Sequence, residues 1–556
     1  MEWKASYDKW MATELLEPGL RRELESVTDT RELEDRFYQD LEFGTAGLRG
    51  VIGAGSNRMN VHTVDRATRG YAAYLKTLSD APSCAIAHDS RIMSDEFARV
   101  AAAALASLGV TVWLYPELMP TPMLSFAVRQ LRCTGGIVIT ASHNPSKYNG
   151  YKAYGPDGCQ LNIDASEKVM ALIESEPEFA PLPDFDALLK SGRIRWIGDE
   201  VTDAYYNSIL SLSLQKPPVM TRVVYSPLNG AGNKPVRHIL ERMGNIDVTV
   251  VPEQEQPDGR FPTCPYPNPE IHEAMKLSSE LAKKTGADFF FATDPDCDRM
   301  GAGVVTEDGV RLITGNEMGV LMLDYICRTR LKNGTMPKRP VTIKTIVTSG
   351  MINRVAEKYG VEVVDLLTGF KFIGEQIGRW EQKGEEDRFI FGFEESYGYL
   401  SGSFVRDKDG VNAALLVCEM ASCYKAQGMT LADALETLYK EYGYFSSQQL
   451  NIMFEGVDGM ERMGALLDDI RARLPVDFAG TRVVRSVDYE HDGTGLPRSN
   501  VLRFFLEDGS EIAIRPSGTE PKLKLYVTAS GATEELCRKK SELLAAASKA
   551  RLSADS

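Results

Sequence analysis

The amino-acid sequence predicts an α/β fold: three repeated α/β domains with mostly parallel mixed sheets, plus a smaller C-terminal α+β domain, around a central cleft. Three observations carry this reading. One unit of strand, loop, helix, glycine and strand recurs three times, and each copy is followed by a further strand that ends in a loop rich in chemically able side chains. The final segment lacks the repeat. The chain, at 556 residues, is also longer than one hydrophobic core supports.

The first copy runs from Ala85-Ile86-Ala87 through His88-Asp89-Ser90-Arg91 into a helix over Asp95 to Leu108. Gly109 stops it, and Val110-Thr111-Val112-Trp113-Leu114 is the returning strand. In the second copy Arg222-Val223-Val224-Tyr225 leads through Ser226-Pro227-Leu228-Asn229-Gly230 to a helix ending at Met243, then Gly244 and the strand Asp247 to Val251. The third has Val341-Thr342-Ile343-Lys344-Thr345, the loop Val347-Thr348-Ser349-Gly350, a helix to Tyr359, Gly360 and the strand Val361 to Val364. Strands alternating with helices build mostly parallel layers, whose binding loops lie at the carboxyl ends of the strands. In the last segment Glu511-Ile512-Ala513-Ile514 turns into the strand Lys522 to Val527. An Ala/Leu/Lys-rich helix over Thr533 to Arg551 is expected to pack on that sheet. The predicted domains are residues 1–195, 196–312, 313–440 and 441–556.

Each domain offers one loop. In the first, the small and apolar strand Gly135-Gly136-Ile137-Val138-Ile139 breaks at Ser142-His143-Asn144-Pro145, a turn signal, with Lys152 further on. A hydroxyl presented at a strand end beside an imidazole and a lysine can take and return a phosphoryl group. In the second, Phe289-Phe290-Phe291-Ala292 leads into Asp294, Asp296 and Asp298, followed by Arg299. Carboxylates at i, i+2 and i+4 on an extended loop converge oxygens on one hard cation, which suits magnesium better than zinc because no His or Cys pair is supplied. A calcium loop of the D-x-D-x-D kind needs Gly at its sixth position and Glu at its twelfth, where this chain has Arg299 and Val305. Cys297, inside the cluster, reads as a small filler. In the third, Gly392-Phe393-Glu394-Glu395-Ser396-Tyr397-Gly398 offers acceptors suited to sugar hydroxyls, with Lys408 close behind. In the fourth, Arg515, Ser517, Gly518 and Thr519 bring a guanidinium fork, two hydroxyls and bare N–H groups to one tight turn, the makings of a phosphate cradle.

Together with Phe43-Gly44-Thr45-Ala46-Gly47-Leu48-Arg49-Gly50, these loops form five motifs that resemble, in order, the α-D-phosphohexomutase superfamily over Phe43 to Val527. The resemblance implies four domains around a cleft, a phosphoserine at Ser142, and one Mg2+ held by Asp294, Asp296 and Asp298 with Ser142. It implies interconversion of sugar 1- and 6-phosphates through a bisphosphorylated sugar, here glucose 1,6-bisphosphate, which also activates the enzyme. By motif, Ser142, His143, Arg49, Lys152 and Lys408 would be catalytic, Lys408 standing near the acid/base position. Thr45, Arg299, Thr368, Gly369, Glu394, Ser396, Arg515, Ser517, Gly518 and Thr519 would bind substrate. Glu-Glu-Ser-Tyr-Gly is similar to the loop of the superfamily's glucose-phosphate branch rather than the Glu-Met-Ser-Gly-His of its mannose-phosphate branch. Glucose phosphate is therefore the first expected substrate, followed by pentose phosphates, mannose phosphate and the glucosamine branch. The metal loop commonly has Ala where Cys297 stands, a departure that raises an expectation of oxidative sensitivity.

Composition agrees. Hydrophobic residues at 43% and charged residues at 25% describe an ordinary globular protein. Against 78 acidic residues there are 63 basic ones, and the net charge of −15 argues against nucleic acid and anionic membranes as partners. Small sugar phosphates are the expected partners of a monomer or weak homo-oligomer. Nine dispersed cysteines without C-x-x-C spacing read as reduced thiols of a cytoplasmic protein. The N-terminus does not resemble a signal peptide, and no apolar run approaches the ~20 residues of a membrane span. Neither a Gly-x-x-x-x-Gly-Lys-Ser/Thr loop nor a Gly-x-Gly-x-x-Gly turn after a strand occurs, so neither ATP nor NAD is expected. Two other function classes stand as alternatives. A serine-based, metal-dependent sugar phosphatase would release inorganic phosphate. A non-catalytic sugar-phosphate sensor would be expected to have lost Ser142 or an aspartate, and this chain keeps all of them.

Overall fold

The computed structural model describes residues 2–44, 47–454, 458–517 and 521–553. The chain forms two compact units, one of Met1–Gly315 with Phe370–Thr430, the other of Asn316–Gly369 with Leu431–Ser556.

The first unit opens with three short helices, Glu2–Ala12, Pro18–Ser26 and Thr30–Phe37, packed around Trp3, Trp10, Leu16, Leu24 and Phe37. Its first sheet contains β1 (Gly47–Val51), β2 (Ser83–His88), β3 (Thr111–Leu114), β4 (Gly135–Ile139), β5 (Tyr148–Tyr154) and β6 (Ile194–Trp196), in the order β1-β5-β4-β2-β3-β6. Pairs β4/β2, β2/β3 and β3/β6 are parallel, whereas β5 returns antiparallel to β4 and β1. All five residues of β4 are buried, as a continuous apolar run requires in a sheet covered on both faces. The second sheet repeats the plan with β7 (Thr221–Ser226), β8 (Ile246–Val250), β9 (Phe289–Thr293), β10 (Met300–Thr306) and β11 (Gly309–Ile313), in the order β11-β10-β9-β7-β8. Again the third strand, β9, runs parallel to the first, and the fourth, β10, returns antiparallel to it.

The third copy supplies β12 (Val341–Thr345) and β13 (Glu362–Leu366), a parallel pair in the second unit. The hairpin β14 (Phe389–Glu394) and β15 (Gly398–Leu400) belongs to the first. The repeat is therefore real at each position. Helices Ser94–Ser107, Asn233–Met243 and Met351–Tyr359 all end before a glycine at positive φ, namely Gly109, Gly244 and Gly360. A left-handed residue there lets the chain leave the helix and drop into the next strand.

The C-terminal sheet of the second unit contains β16 (Tyr444–Met453), β17 (Asp477–Phe478), β18 (Thr481–Asp488), β19 (Leu502–Leu506), β20 (Glu511–Pro516) and β21 (Lys522–Gly531). It is antiparallel throughout, in the order β16-β21-β20-β19-β18-β17. Ile512, Ile514, Leu523, Leu525 and Val527 form its buried face, and the helix Glu534–Ser553 packs on β16 and β21 as the sequence predicts. Among the described residues no helix is long and apolar enough to cross a membrane.

Candidate active site

The chemical loops are the turns of the three repeated hairpins, β4/β5, β9/β10 and β14/β15. Each contains one non-glycine residue in the left-handed region: Ser142 (φ +53), Cys297 (φ +51) and Tyr397 (φ +65). Such a conformation costs about 1–3 kcal/mol and persists only where the surroundings over-determine it.

Ser142 is 4% exposed, and its Oγ donates to Asp294 Oδ2 at 2.9 Å, with His143 Nδ1 at 3.2 Å. The first domain's loop thus meets the second domain's cluster within the same unit. Burial, with Arg299 and Arg49 nearby, pushes the His143 imidazole well below its ordinary value, which favours its neutral form. Asp294 Oδ1 accepts the backbone N–H groups of Asp298 and Arg299 at 3.1 and 3.0 Å, which folds the loop back on its first carboxylate. Burial and the adjacent Asp296 and Asp298 raise the Asp294 carboxyl. Burial also opposes charge on Asp296, but Lys152, hydrogen-bonded to it, and Lys408 outweigh that and hold it below the usual carboxylate range.

Lys152 Nζ lies 2.9 Å from Asp296 Oδ2 and 3.6 Å from Asp298 Oδ2, and Lys408 Nζ lies 3.1 Å from Asp298 Oδ2. Burial works against charge on Lys408, yet Asp298, Asp407 and Glu394 raise it, so it stays protonated. Arg299 reaches Glu270 and lies 3.9 Å from Asp298 Oδ1. Arg49 is exposed on β1, and the β1/β5 register (Gly47 opposite Lys152, Arg49 opposite Gly150) puts it on the same face as Lys152. Asp296 and Asp298 both attract its guanidinium.

The three aspartates fit a hard divalent cation. One carboxylate oxygen from each lies within 4.8 Å of the others. Asp296 Oδ1 and Asp298 Oδ1 are buried without a hydrogen-bond partner, a situation that a cation would relieve. All donors are oxygens, which favours Mg2+ over softer metals. Cys297 is fully buried, burial raises its thiol, and its backbone carbonyl accepts from Gly410 N at 3.0 Å. It is a packing residue as read in the sequence, but the expected oxidative sensitivity is overturned by this burial.

Glu394 ends β14 and is buried, while Ser396 is half-buried in the turn. Their loop stacks on Lys408, since a Cβ at Gly398 would sit 2.1 Å from Lys408 Cδ. If these side chains read sugar hydroxyls, Glu394→Ala should weaken transfer to a sugar phosphate by about 1.5–3 kcal/mol and Ser396→Ala, which loses a neutral hydrogen bond, by about 0.5–1.5 kcal/mol. Phosphorylation of Ser142 by a sugar bisphosphate should be affected less. Comparing the two rates checks this, and equal loss of both would place the loop in the phosphoryl transfer itself.

Thr368, Gly369, Arg515 and Ser517 belong to the second unit. Thr368 Oγ1 is buried without a hydrogen-bond partner, next to Gly369 at φ +122. Arg515 is paired across β20/β21 with Lys524, and Ser517 N donates to Lys522 O at 2.8 Å, closing the turn. Thr45, Gly518 and Thr519 lie outside the described residues.

Several residues that shape the site carry no motif. Thr121 begins the helix Thr121–Gln130 and holds Asp296 twice, through N–H to its carbonyl and Oγ1 to its Oδ2, both at 2.9 Å. Asp407 fixes the segment bearing Lys408, accepting from Tyr154 Oη at 2.7 Å and Gln160 Nε2 at 3.0 Å. Asp89 and Arg91 follow β2, and the β2/β4 register (His88 opposite Ile139) brings them beside Ser142. The signal available in sequence was their place in the repeat, at the carboxyl end of a parallel strand.

The fold and site define a phosphoryl-transferring α/β protein of four domains, and the chain belongs to the phosphoglucomutase/phosphomannomutase family. The family's alpha/beta/alpha domain I matches residues 40–179, domain II 203–309, domain III 314–442 and the C-terminal domain 460–545. A phosphoglucomutase of Staphylococcus haemolyticus is 37% identical over 508 residues, 89% of this chain and 91% of that protein. One of Staphylococcus aureus is 36% identical over 94% of this chain and 96% of that protein. The crystal structure of a phosphoglucomutase/phosphomannomutase family protein from Burkholderia thailandensis superposes with a TM-score of 0.68 at 20% identity, covering 92% of this chain and 97% of that one.

Proposed function

We propose that the protein is a phosphoglucomutase, converting glucose 1-phosphate and glucose 6-phosphate into each other through phospho-Ser142 and glucose 1,6-bisphosphate. The observation that carries this reading is Ser142 Oγ at 2.9 Å from Asp294, in a buried carboxylate cluster ringed by Lys152, Lys408 and Arg299. The identity to phosphoglucomutases over most of the chain favours glucose over pentose and mannose phosphates.

Transfer breaks the phosphorus–oxygen bond to Ser142 Oγ and forms one to a sugar hydroxyl, and the second half-reaction returns the other phosphoryl group to Ser142. Arg49 and Lys152 flank the moving group and offset charge on its oxygens, which dominates catalysis of this kind. A Mg2+ held by Asp294, Asp296, Asp298 and the Ser142 oxygen would supply Lewis-acid stabilisation of that charge. His143, neutral beside Oγ, accepts the serine proton when Ser142 attacks. Lys408, held protonated, is suited to donate to the departing sugar oxygen; as the amine it then becomes, it takes the sugar hydroxyl's proton in the opposite half-reaction, while His143 returns its proton to Ser142 Oγ. Glu394 and Ser396 bond sugar hydroxyls in both orientations of the bisphosphate, with Thr45, Arg299, Thr368 and Gly369 completing the substrate contacts. Arg515, Ser517, Gly518 and Thr519 hold the phosphate that is not reacting.

The nine cysteines are all free and buried, which suits the reducing cytoplasm, and the net charge of −15 suits a protein with neither nucleic-acid nor membrane partners. We expect a monomer or a weak homo-oligomer.

Coupled assays with glucose, mannose, ribose, deoxyribose and glucosamine 1-phosphates test the substrate, and glucose 1-phosphate should give the highest kcat/KM. A higher value for a pentose or mannose phosphate would move the assignment within the family. Arg515→Ala should lower kcat/KM by about 2–4 kcal/mol, the worth of a bidentate guanidinium–phosphate contact. Because a loosely held bisphosphate escapes before it reorients, added glucose 1,6-bisphosphate should restore much of the turnover. A variant that leaks no bisphosphate and gains nothing from its addition would exclude Arg515 from the distal clamp.

A further inference from the structure

The loop that presents Ser142 is gripped from behind. Arg91 Nη2 donates to the carbonyls of Ser142 and Asn144, and Nη1 donates to those of Pro145 at 3.0 Å and Tyr148 at 3.1 Å. Its Nε pairs with Asp89 Oδ2 at 3.3 Å, and both side chains are fully buried. The same carboxylate oxygen accepts Thr140 Oγ1 at 2.6 Å, and Thr140 Oγ1 in turn accepts Ser142 N at 2.8 Å. Asp89 Oδ1 accepts Arg91 N at 2.9 Å and Ser94 Oγ at 2.8 Å, so the carboxylate itself is fixed. The guanidinium stacks on Phe261, 5.0 Å from its ring centre.

We infer that Arg91, with Asp89 and Thr140, is a positioning residue for phosphoryl transfer, holding both peptide groups of Ser142 so that Oγ stays aimed at Asp294 in a left-handed backbone. This rests on the reading of Ser142 as the phosphoryl carrier. The four Nη N–H groups donate to loop carbonyls and Nε lies against Asp89, so the guanidinium is turned to the loop and the residue acts through Ser142. No other side chain presents five donors in one plane. Lysine, with three, cannot grip four carbonyls. Ser142 at φ +53 is a conformation that a free loop would leave, and the clamp makes it the resting one. A cavity of about 350 Å³ is lined in part by Arg91, with His88, Arg99, Tyr115 and Trp196.

The test uses full-length, Mg2+-loaded enzyme as wild type, Arg91→Ala, Arg91→Lys, Thr140→Val and Ser142→Ala. Thermal unfolding, kcat and KM for glucose 1-phosphate, and the rate at which glucose 1,6-bisphosphate phosphorylates Ser142 are measured. Misplacing a reacting group by about 1 Å lowers rates on the order of 10²-fold, and that is the fall expected in kcat and in Ser142 phosphorylation for Arg91→Ala. KM should stay near wild type, and millimolar guanidinium should restore part of the rate. Arg91→Lys should fall between wild type and alanine, and Thr140→Val should slow phosphorylation without changing KM. If Arg91→Ala does not fold, the lysine and valine variants decide. Wild-type phosphorylation rates in the folded variants, or a raised KM with unchanged kcat, would overturn the inference while leaving Ser142 as the carrier. Absence of phosphate on Ser142 in wild type, with Ser142→Ala active, would overturn both.

Discussion

Ser142→Ala should lose turnover by several orders of magnitude while its fold is kept. The side chain removed is small, and its hydrogen bonds are to Asp294 and His143 within the site rather than to the core. Loss of a nucleophile that splits one transfer into two removes the covalent route, and no neighbouring hydroxyl replaces it. Thr140 Oγ1, which accepts the Ser142 N–H, is itself engaged with Asp89. Steady-state assay of the purified variant, with its unfolding transition measured beside it, checks this. A variant that turns over at a rate near wild type would remove Ser142 from the chemistry.

The second large effect concerns the carboxylates. Exhaustive chelation should abolish turnover and Mg2+ should restore it, and Asp296→Asn should fall severely at saturating Mg2+. The substitution removes ligand charge from a three-carboxylate site and also leaves Lys152 without its nearest partner. Breaking a buried pair costs about 3–5 kcal/mol when the remaining charge has nowhere to go. Lys152 still has Asp298 Oδ2 at 3.6 Å, so the stability loss should be smaller than that. Activity unchanged by chelation would remove the metal from the reading.

The parts of this architecture legible in the sequence were those with a local cause. β4 and β9 announce themselves as apolar runs ending in polar loops, and Gly109, Gly244 and Gly360 mark three helix ends because only a positive φ makes those turns cheaply. Element boundaries moved by a residue or two, as with the helix Ser94–Ser107 read as Asp95 to Leu108. The three aspartates and Ser142 were legible because their spacing and setting are short-range. What the sequence could not reveal was mutual: that Ser142 Oγ meets Asp294, that Thr121 holds Asp296, or that Arg91 faces four carbonyls of the Ser142 loop. Those contacts join residues 51 to 175 positions apart and depend on which strand ends lie side by side. Cys297 shows the same limit from the other side. In sequence a thiol among carboxylates looks exposed to oxidants, and only the packing against Gly232 and Gly410 shows that it is sealed.

The central claim is that one serine takes a phosphoryl group and gives it back to sugar. The most direct measurement loads the enzyme with radiolabelled glucose 1,6-bisphosphate, maps the label by peptide analysis, and then adds unlabelled glucose 1-phosphate. The account predicts label on Ser142 alone, its transfer to the sugar, and no release of inorganic phosphate. Label on another residue, or label leaving as inorganic phosphate instead of entering the sugar, would contradict it.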